Sequence, residues 1–310
     1  MSEESALHPG RRFLHLCYCC NDADAATEFF VDAFKMRNTM RTPSERSDGS
    51  LLGVDGEIEG CASFVHDHRG GRVSPAIEIQ SWVDPMLVGV PSTDPFEVGV
   101  KAVGFVVSDL NSMHDRLVGH GCTVVHRGAS PFADDSVVVT DPTGVMLELV
   151  HDESIPDGAG QLHHVRITCT DLEVSLAFYE ALGFSTMETG SFTDARFVGA
   201  TDVVVDANFV RLRLPDEAFE VTLIQWLTPV SHGRHYAIAN HAGMYRMALG
   251  VDDTRASHDA MVTAGAVFDR PPRSVELRGT RVPDMWICFI SDPDGIPYEF
   301  VQRPRSAFKQ

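Results

Sequence analysis

Two kinds of side chain on apolar strands could do chemistry in this sequence. His15 and His164 each stand in a largely apolar run, and Glu148 and Glu299 are each flanked by apolar residues on both sides. Imidazole and carboxylate groups bind metal ions and transfer protons. Because side chains alternate between the two faces of a strand, each carboxylate either points to water or is buried with a partner, since a lone buried charge is costly. A histidine in such a strand is also compatible with a satisfied core residue.

Tyr245 and Arg246 form a candidate site for substrate binding. A hydroxyl and a guanidinium could hold an anionic group of a substrate by a hydrogen bond and a bidentate ion pair. The alternative is a structural pair between Arg246 and a glutamate. The sequence contains no GxGxxG, Walker or G-x-S-x-G motif, so nucleotide binding and serine-hydrolase chemistry have no support in it.

Internal repeats place these residues in similar elements. Residues 13–30 and 162–179 align with a shift of 149, which puts His15 on His164. Each segment predicts a strand, a turn that carries an aspartate, and an amphipathic helix. The second of these helices is expected to end at Gly183, a residue that readily adopts a left-handed backbone conformation.

A second repeat lies further along each half of the chain. Residues 103–121 align with residues 247–265 with a shift of 144, and D-P-x-G occurs at 141–144 and again at 292–295. Each D-P-x-G predicts a tight turn that leads into a final strand. The sequence therefore has four similar units, and periodic repetition of this kind indicates a modular architecture.

We predict an α+β fold of four βαβββ modules, paired into two cup-shaped half-barrel domains. The first two modules form a domain within residues 1–151, and the last two form a domain within residues 160–303. The predicted modules span residues 11–85, 100–151, 160–229 and 243–303.

Composition narrows the class of function. The chain has 310 residues and a formal net charge of -19, with 44 acidic residues against 25 lysines and arginines. A nucleic-acid or anionic-membrane partner requires clustered positive charge, so neither is expected. The beginning of the sequence lacks the features of a signal peptide, and no apolar run is long enough to cross a bilayer. We expect a cytosolic protein with reduced cysteines.

Two segments resemble a known superfamily. The run HHVRITCTDLEVSLAFYEALGF, which begins at His163, looks like the opening of a glyoxalase/bleomycin-resistance/dioxygenase module, and DPDGIPYEFVQRP, which begins at Asp292, looks like its closing strand. In this vicinal oxygen chelate superfamily, paired modules form a cup that holds a divalent metal. The resemblance implies a small-molecule substrate whose neighbouring oxygens chelate that metal. It leaves open whether modules pair within one chain or across a homodimer.

For the first cup the resemblance implies three metal ligands, His15, Glu78 and Glu148, with Ala102 where the family often has histidine. One nitrogen and two carboxylates suit Fe, Mn, Ni, Co or Zn. For the second cup it leaves only His164 and Glu299, because Thr222 and Arg246 occupy the other two positions. A guanidinium remains protonated and cannot bind a cation.

Three functions are compatible with these residues. The first is a divalent-metal-dependent lyase or isomerase, in which Glu78 or Glu148 acts as the base. The second is an extradiol-type dioxygenase, which the four-module length favours but Arg246 opposes, because it breaks the triad of two histidines and one carboxylate. The third is a non-catalytic protein of the bleomycin-resistance kind that binds a small molecule.

Overall fold

The computed structural model describes residues 6–276 and 284–302, so residue 303, the predicted end of the fourth module, lies outside the described part. Four βαβββ-type units follow one another along the chain, as predicted. The elements of module one are β1 (Arg12–Cys20), α1 (Ala23–Phe34), β2 (Arg37–Arg41), β3 (Glu45–Asp48), a 3-10 turn (Gly49–Leu52), β4 (Glu57–His66) and β5 (Ala76–Asp84). Those of module two are β6 (Gly99–Val107), α2 (Leu110–Gly119), β7 (Thr123–Ser130), β8 (Ala133–Thr140) and β9 (Met146–His151).

Modules three and four repeat this order. The elements of module three are β10 (Gly160–Thr168), α3 (Leu172–Leu182), β11 (Ser185–Phe192), a 3-10 turn (Arg196–Val198), β12 (Asp206–Arg213) and β13 (Glu220–Thr228). Those of module four are β14 (Gly243–Gly250), α4 (Thr254–Thr263), β15 (Arg270–Glu276), β16 (Asp284–Ser291) and β17 (Pro297–Gln302).

All four helices begin at an aspartate. The side chains of Asp22, Asp109, Asp171 and Asp253 each accept hydrogen bonds from backbone N–H groups of the first helical turn. An aspartate cap supplies acceptors to donors that have no partner within the helix. Helix α3 ends at Gly183, whose φ is 105°, as predicted. The aspartate turns noted in the sequence therefore fix where each helix starts, directly after the strand that carries the candidate site residue.

The strands form two curled sheets. The first, here called the outer sheet, has the order β15-β16-β17-β14-β1-β5-β4-β2, with β3 paired to β4, and it combines modules one and four. The second, the inner sheet, has the order β11-β12-β13-β10-β6-β9-β8-β7 and combines modules two and three. We call the concave faces of these sheets the outer cup and the inner cup.

The predicted pairing of modules that are neighbours in the sequence is wrong. Strand β1 pairs antiparallel with β14, and β10 pairs antiparallel with β6, so each cup takes one module from each half of the chain. The first strands of all four modules are similarly apolar, and strand patterning alone does not distinguish one partner from another. The structure thus keeps the predicted modules and cups but changes which modules share a cup.

An apolar core lies between the sheets. Phe30 and Phe34 of α1 are fully buried, and the Phe34 ring stacks on Phe105 of the inner sheet with 4.1 Å between ring centroids. This contact joins module one to module two although their strands belong to different sheets. Within the described ranges, no helix is long and apolar enough to cross a membrane.

Candidate functional site

Four charged or titratable side chains meet at the floor of the outer cup. They are His15 on β1, Glu78 on β5, Arg246 on β14 and Glu299 on β17, and each is at most 6% exposed. These strands are neighbours in the order β17-β14-β1-β5, so side chains on one face converge. His15 Nε2 lies 3.3 Å from Glu78 Oε2 and 3.5 Å from Glu299 Oε2.

Arg246 joins the two carboxylates of this floor. Its Nη2 donates to both oxygens of Glu78, at 2.9 and 2.8 Å, and its Nη1 donates to Gln80 Oε1 at 3.1 Å. Its Nε lies 3.5 Å from Glu299 Oε2. Arg246 therefore compensates charge on both acids and fixes the orientation of Glu78 by a bidentate contact.

Polar atoms of the outer floor remain without hydrogen bonds. Over the described part of the chain, neither ring nitrogen of His15 nor Nε of Arg246 makes a hydrogen bond, although all three atoms are buried. Buried polar groups are nearly always hydrogen-bonded, so such exceptions call for an explanation, and a ligand not present here is one. These atoms are placed to meet the oxygens of a small molecule.

A cavity of about 590 Å³ opens above this floor. His15, Glu78, Arg246 and Glu299 all line it. Its walls are largely apolar and come from both modules: Met40, Ile58, Phe64, Trp82, Met285 and Ile287. A concave, mostly apolar space of this size with a few convergent polar groups is typical of a small-molecule site.

The inner cup has a similar floor that is internally paired. Glu148 accepts a hydrogen bond from Arg166 Nη2 at 2.7 Å and a very short one from Arg166 Nε, and His164 Nε2 lies 3.0 Å from Glu148 Oε2. The Phe132 ring covers the guanidinium of Arg166, with 3.7 Å between Cζ and the ring centroid. Trp226, at the position that corresponds to Trp82, is buried in an aromatic cluster beside this cup. A cavity of about 540 Å³ remains, but the acid and its cation already satisfy each other.

Electrostatics in the inner cup fixes the charge states of its acid and imidazole. Burial alone would raise the pKa of Glu148, but Arg166 and then His164 hold this pKa well below its usual range. Burial lowers the pKa of His164, and the nearby Arg166 lowers it further. His164 also packs so closely on Gly104 that a Cβ there would lie 2.0 Å from the ring. At neutral pH the inner floor is thus an ionised Glu148–Arg166 pair beside a neutral imidazole.

The predicted ligand sets are wrong in their composition. Glu148 does not meet His15 and Glu78, because module two pairs with module three, and it contacts His164 instead. Glu299, predicted to accompany His164, faces His15. The tyrosine of the predicted binding pair, Tyr245, lies in a buried cluster behind the floor and lines a different cavity, whereas Arg246 lines the outer cup.

Sequence reasoning did not identify Arg166 and Gln80. Arg166 lies two residues after His164 and therefore on the same face of β10, and Gln80 lies two residues after Glu78 on β5. A charged residue at a face position of an otherwise apolar strand was the signal that would have indicated Arg166, since burial of its charge requires a carboxylate.

The donor sets do not fit a divalent metal as they are arranged. Among residues 6–276 and 284–302, no group of three or more His, Cys, Asp and Glu side chains is placed to hold a metal ion. In the outer cup one imidazole and two carboxylates do converge, but the Arg246 guanidinium lies against both carboxylates. A permanently charged guanidinium repels a cation and cannot ligate it. The triad of two histidines and one carboxylate is not assembled there either.

Stability is expected to fall on acidification because of the inner cup. The pKa values of His164 and Glu148 are both lowered in the folded state. The unfolded chain therefore binds more protons, and the free energy of unfolding decreases as the pH falls below about 6.5 for the imidazole and below about 4.3 for the carboxyl group. In His164→Gln the slope of this free energy between about pH 7 and 5 should be smaller by up to about 1.4 kcal/mol per pH unit, the effect of one proton. Urea titrations across this range measure both slopes, and equal slopes would contradict the assignment.

Comparisons with known proteins agree with this geometry. The Glyoxalase/Bleomycin resistance protein/Dioxygenase superfamily profile matches residues 12–149 and 161–300. YaeR of Escherichia coli is 27% identical over 150 residues, which is 47% of this chain and 98% of that protein. A probable lactoylglutathione lyase of Vibrio cholerae is 26% identical over 148 residues, 46% of this chain and 91% of its own length. Glyoxalase I from Zea mays, at 19% identity, superimposes with a TM-score of 0.69 over 98% of this chain and 96% of its own, which shows a common fold. The chain therefore belongs to the Glyoxalase/Bleomycin resistance protein/Dioxygenase superfamily.

Proposed function

We propose that the chain is an enzyme of the lyase or isomerase type, which acts on a small oxygen-bearing molecule in the outer cup. The observation that carries this proposal is the difference between the two floors. Buried polar atoms of His15 and Arg246 face an open, apolar-walled cavity without hydrogen bonds, whereas the Glu148 carboxylate of the inner cup is paired with Arg166 and His164. A floor that awaits partners is suited to binding, and a floor that has them is suited to stability.

The residues of the outer floor support proton transfer beside a carbonyl group. Glu299 accepts a proton from the substrate carbon, and the electron pair of that bond moves to the neighbouring oxygen. The proton then returns to an adjacent carbon, so the reaction needs no oxidant or reductant. His15 Nε2, 3.5 Å from Glu299 and 3.3 Å from Glu78, can carry the proton between the two positions.

Glu78 has a different task in this proposal. Both of its oxygens accept hydrogen bonds from Arg246 Nη2, so the carboxylate fixes the guanidinium rather than attacking the substrate. A group held in one orientation contributes to the reaction rate by positioning its partner. Glu78 is therefore a positioning residue, and Glu299 takes the role of the base.

The relatives support this type of reaction without naming its substrate. A Vibrio cholerae relative is named a probable lactoylglutathione lyase, and the fold is shared with glyoxalase I. Both names denote chemistry on small oxygenated carbonyl compounds. Fold alone does not fix a reaction, so the site geometry carries the proposal.

Exchange of carbon-bound protons tests the proposal even where the product has not been identified. The protein is incubated in D₂O with lactoylglutathione and with a panel of small 2-hydroxy and 2-oxo carbonyl compounds, and deuterium uptake is followed by NMR. We expect catalysed exchange with at least one compound. Glu78→Gln should lower the exchange rate about tenfold or more through loss of positioning. Thr222→Val, at the corresponding position of the inner cup, is the matched control and should leave the rate unchanged.

Binding without chemistry is the second candidate, favoured by the largely apolar wall of the outer cavity. Saturable binding of panel compounds in the outer cup, with no exchange and no turnover of any of them, would support it and would remove the enzymatic proposal.

A further inference from the structure

Both cups hold a buried arginine against the carboxylate of their last strand. In the outer cup Arg246 contacts Glu299 and Glu78, and in the inner cup Arg166 contacts Glu148. Each of these side chains is at most 6% exposed. A buried guanidinium retains its charge, because its pKa lies far above neutral pH.

The two arginines come from opposite central strands. Arg246 lies on β14, the first strand of module four, and the repeat of 144 residues places Ala102 at its equivalent in β6. Arg166 lies on β10, the first strand of module three, and the repeat of 149 residues places Cys17 at its equivalent in β1. The positions are therefore not copies of each other, yet both guanidinium groups reach the same carboxylate position. The shared feature is a positive charge at the centre of each cup.

From this geometry we infer that Arg246 supplies the positive charge which holds the substrate oxygen in the outer cup, so that the site works without a divalent metal. The inference rests on the proposed function for the reaction itself. Nε of Arg246 is buried, makes no hydrogen bond within the described residues, and belongs to a side chain that lines the cavity. When the carbon–hydrogen bond transfers its proton to Glu299, the electron pair moves to the substrate oxygen, and the guanidinium stabilises the resulting negative charge.

Charge in the outer floor supports this assignment. Glu78 and Glu299 together carry two negative charges, and Arg246 returns one positive charge to within 2.8 Å of the first and 3.5 Å of the second. A divalent ion bound by the same carboxylates would have to share them with this guanidinium or displace it. Displacement would leave a buried arginine without its acids, which is costly.

Metal content tests the inference on the full chain without any substrate. The protein is purified without chelators, incubated with Co²⁺, freed of excess ion by gel filtration, and examined by elemental analysis and visible absorption. The wild-type chain should retain less than about a tenth of an equivalent of any transition metal. Retention of about one equivalent, with the absorption bands of Co²⁺ bound by protein ligands, would overturn the inference.

Arg246→His provides a gain-of-binding variant. It places a second imidazole beside His15, Glu78 and Glu299, and it should retain about one equivalent of Co²⁺, as expected for a complete ligand set. Adding Glu299→Gln to this variant should abolish the retention and so assign the ion to the outer cup. A folded Arg246→His chain that takes up no more Co²⁺ than wild type would count against the idea that the guanidinium occupies the place of a metal. If this variant does not fold, the wild-type measurement still decides.

A chelator separates this inference from the proposed function. If catalysed proton exchange is found, treatment with EDTA should leave its rate unchanged. A rate that collapses with EDTA and returns with added metal would sustain the proposed function and overturn the role given to Arg246. A metal-free chain that exchanges none of the compounds would count against the proposed function and leave the metal-free assignment intact.

Discussion

Replacing Arg166 by methionine should lower the free energy of unfolding by about 3–5 kcal/mol, the usual cost of removing one partner from a buried ion pair. Glu148 is 1% exposed and takes hydrogen bonds from Arg166 and His164, so the variant leaves a carboxylate without its main compensation. The stacking of Phe132 on the guanidinium is lost as well. Chemical denaturation at neutral pH measures the change.

Two further variants make this prediction specific. Arg196→Met removes a surface arginine that is 66% exposed and paired with Asp194, and it should change stability by less than about 0.5 kcal/mol. Combining Arg166→Met with Glu148→Leu removes both charges and should restore most of the lost stability, because an apolar pair of similar volume often replaces a buried ion pair without loss. A single variant as stable as wild type would show that Glu148 is not compensated in the way described.

Replacing Glu299 by glutamine should lower kcat by about 10²–10⁴-fold, the usual contribution of a positioned general base. The change keeps the shape of the side chain but removes its ability to accept a proton. Rates are measured on whichever compound shows catalysed exchange, and a thermal unfolding curve establishes that the variant is folded. An active Glu299→Gln chain would eliminate this residue as the base and direct attention to Glu78.

The matched control for this variant is Glu148→Gln, at the same strand position of the inner cup. It should leave kcat within about twofold of wild type and instead lower the free energy of unfolding by about 3 kcal/mol, because Arg166 loses its buried partner. One substitution at one position of the repeat thus affects activity in the outer cup and stability in the inner cup. Equal losses of activity in both variants would mean that the two cups do not differ in role.

Much of the architecture could be predicted from the repeats. The four modules, the aspartate turns before the helices, the stop at Gly183 and the D-P-x-G turns all follow from local patterns whose physical cause lies within a few residues. Which modules share a cup depends on contacts between strands far apart in sequence, and four similar first strands carry no local signal for that choice.

Charge in the first and last strands did contain the missing information. If neighbouring modules were paired, Glu78 and Glu148 would share a cup with no arginine, and Arg166 and Arg246 would share the other with Glu299 alone. Counting acids and arginines only, those cups would carry charges of two negative and one positive. The observed pairing brings each arginine to an acid and leaves one negative charge and none, in the outer and inner cup respectively. Because uncompensated buried charge is costly, the observed pairing is the more favourable one.

The candidate site was only partly accessible from sequence for the same reason. His15 and Glu78 could be placed together because they lie in one module, on adjacent strands β1 and β5. Arg246 and Glu299 belong to the opposite end of the chain, and only the correct module pairing brings them to the same floor. Arg246 nevertheless stands out in the sequence as a departure from the family pattern, and that departure is the main feature of the outer cup.

The order of modules in the two sheets has a consequence for synthesis on the ribosome. The eight strands of the inner sheet lie within residues 99–228, so this sheet can assemble as soon as that continuous stretch has emerged. Strand β1 emerges first but must wait for β14 and β17, more than two hundred residues later, before its own cup can close. Contacts between distant parts of a chain form late because their loop must close first. The half of the protein that is built for stability is therefore completed early, and the half that is built for a ligand is completed last.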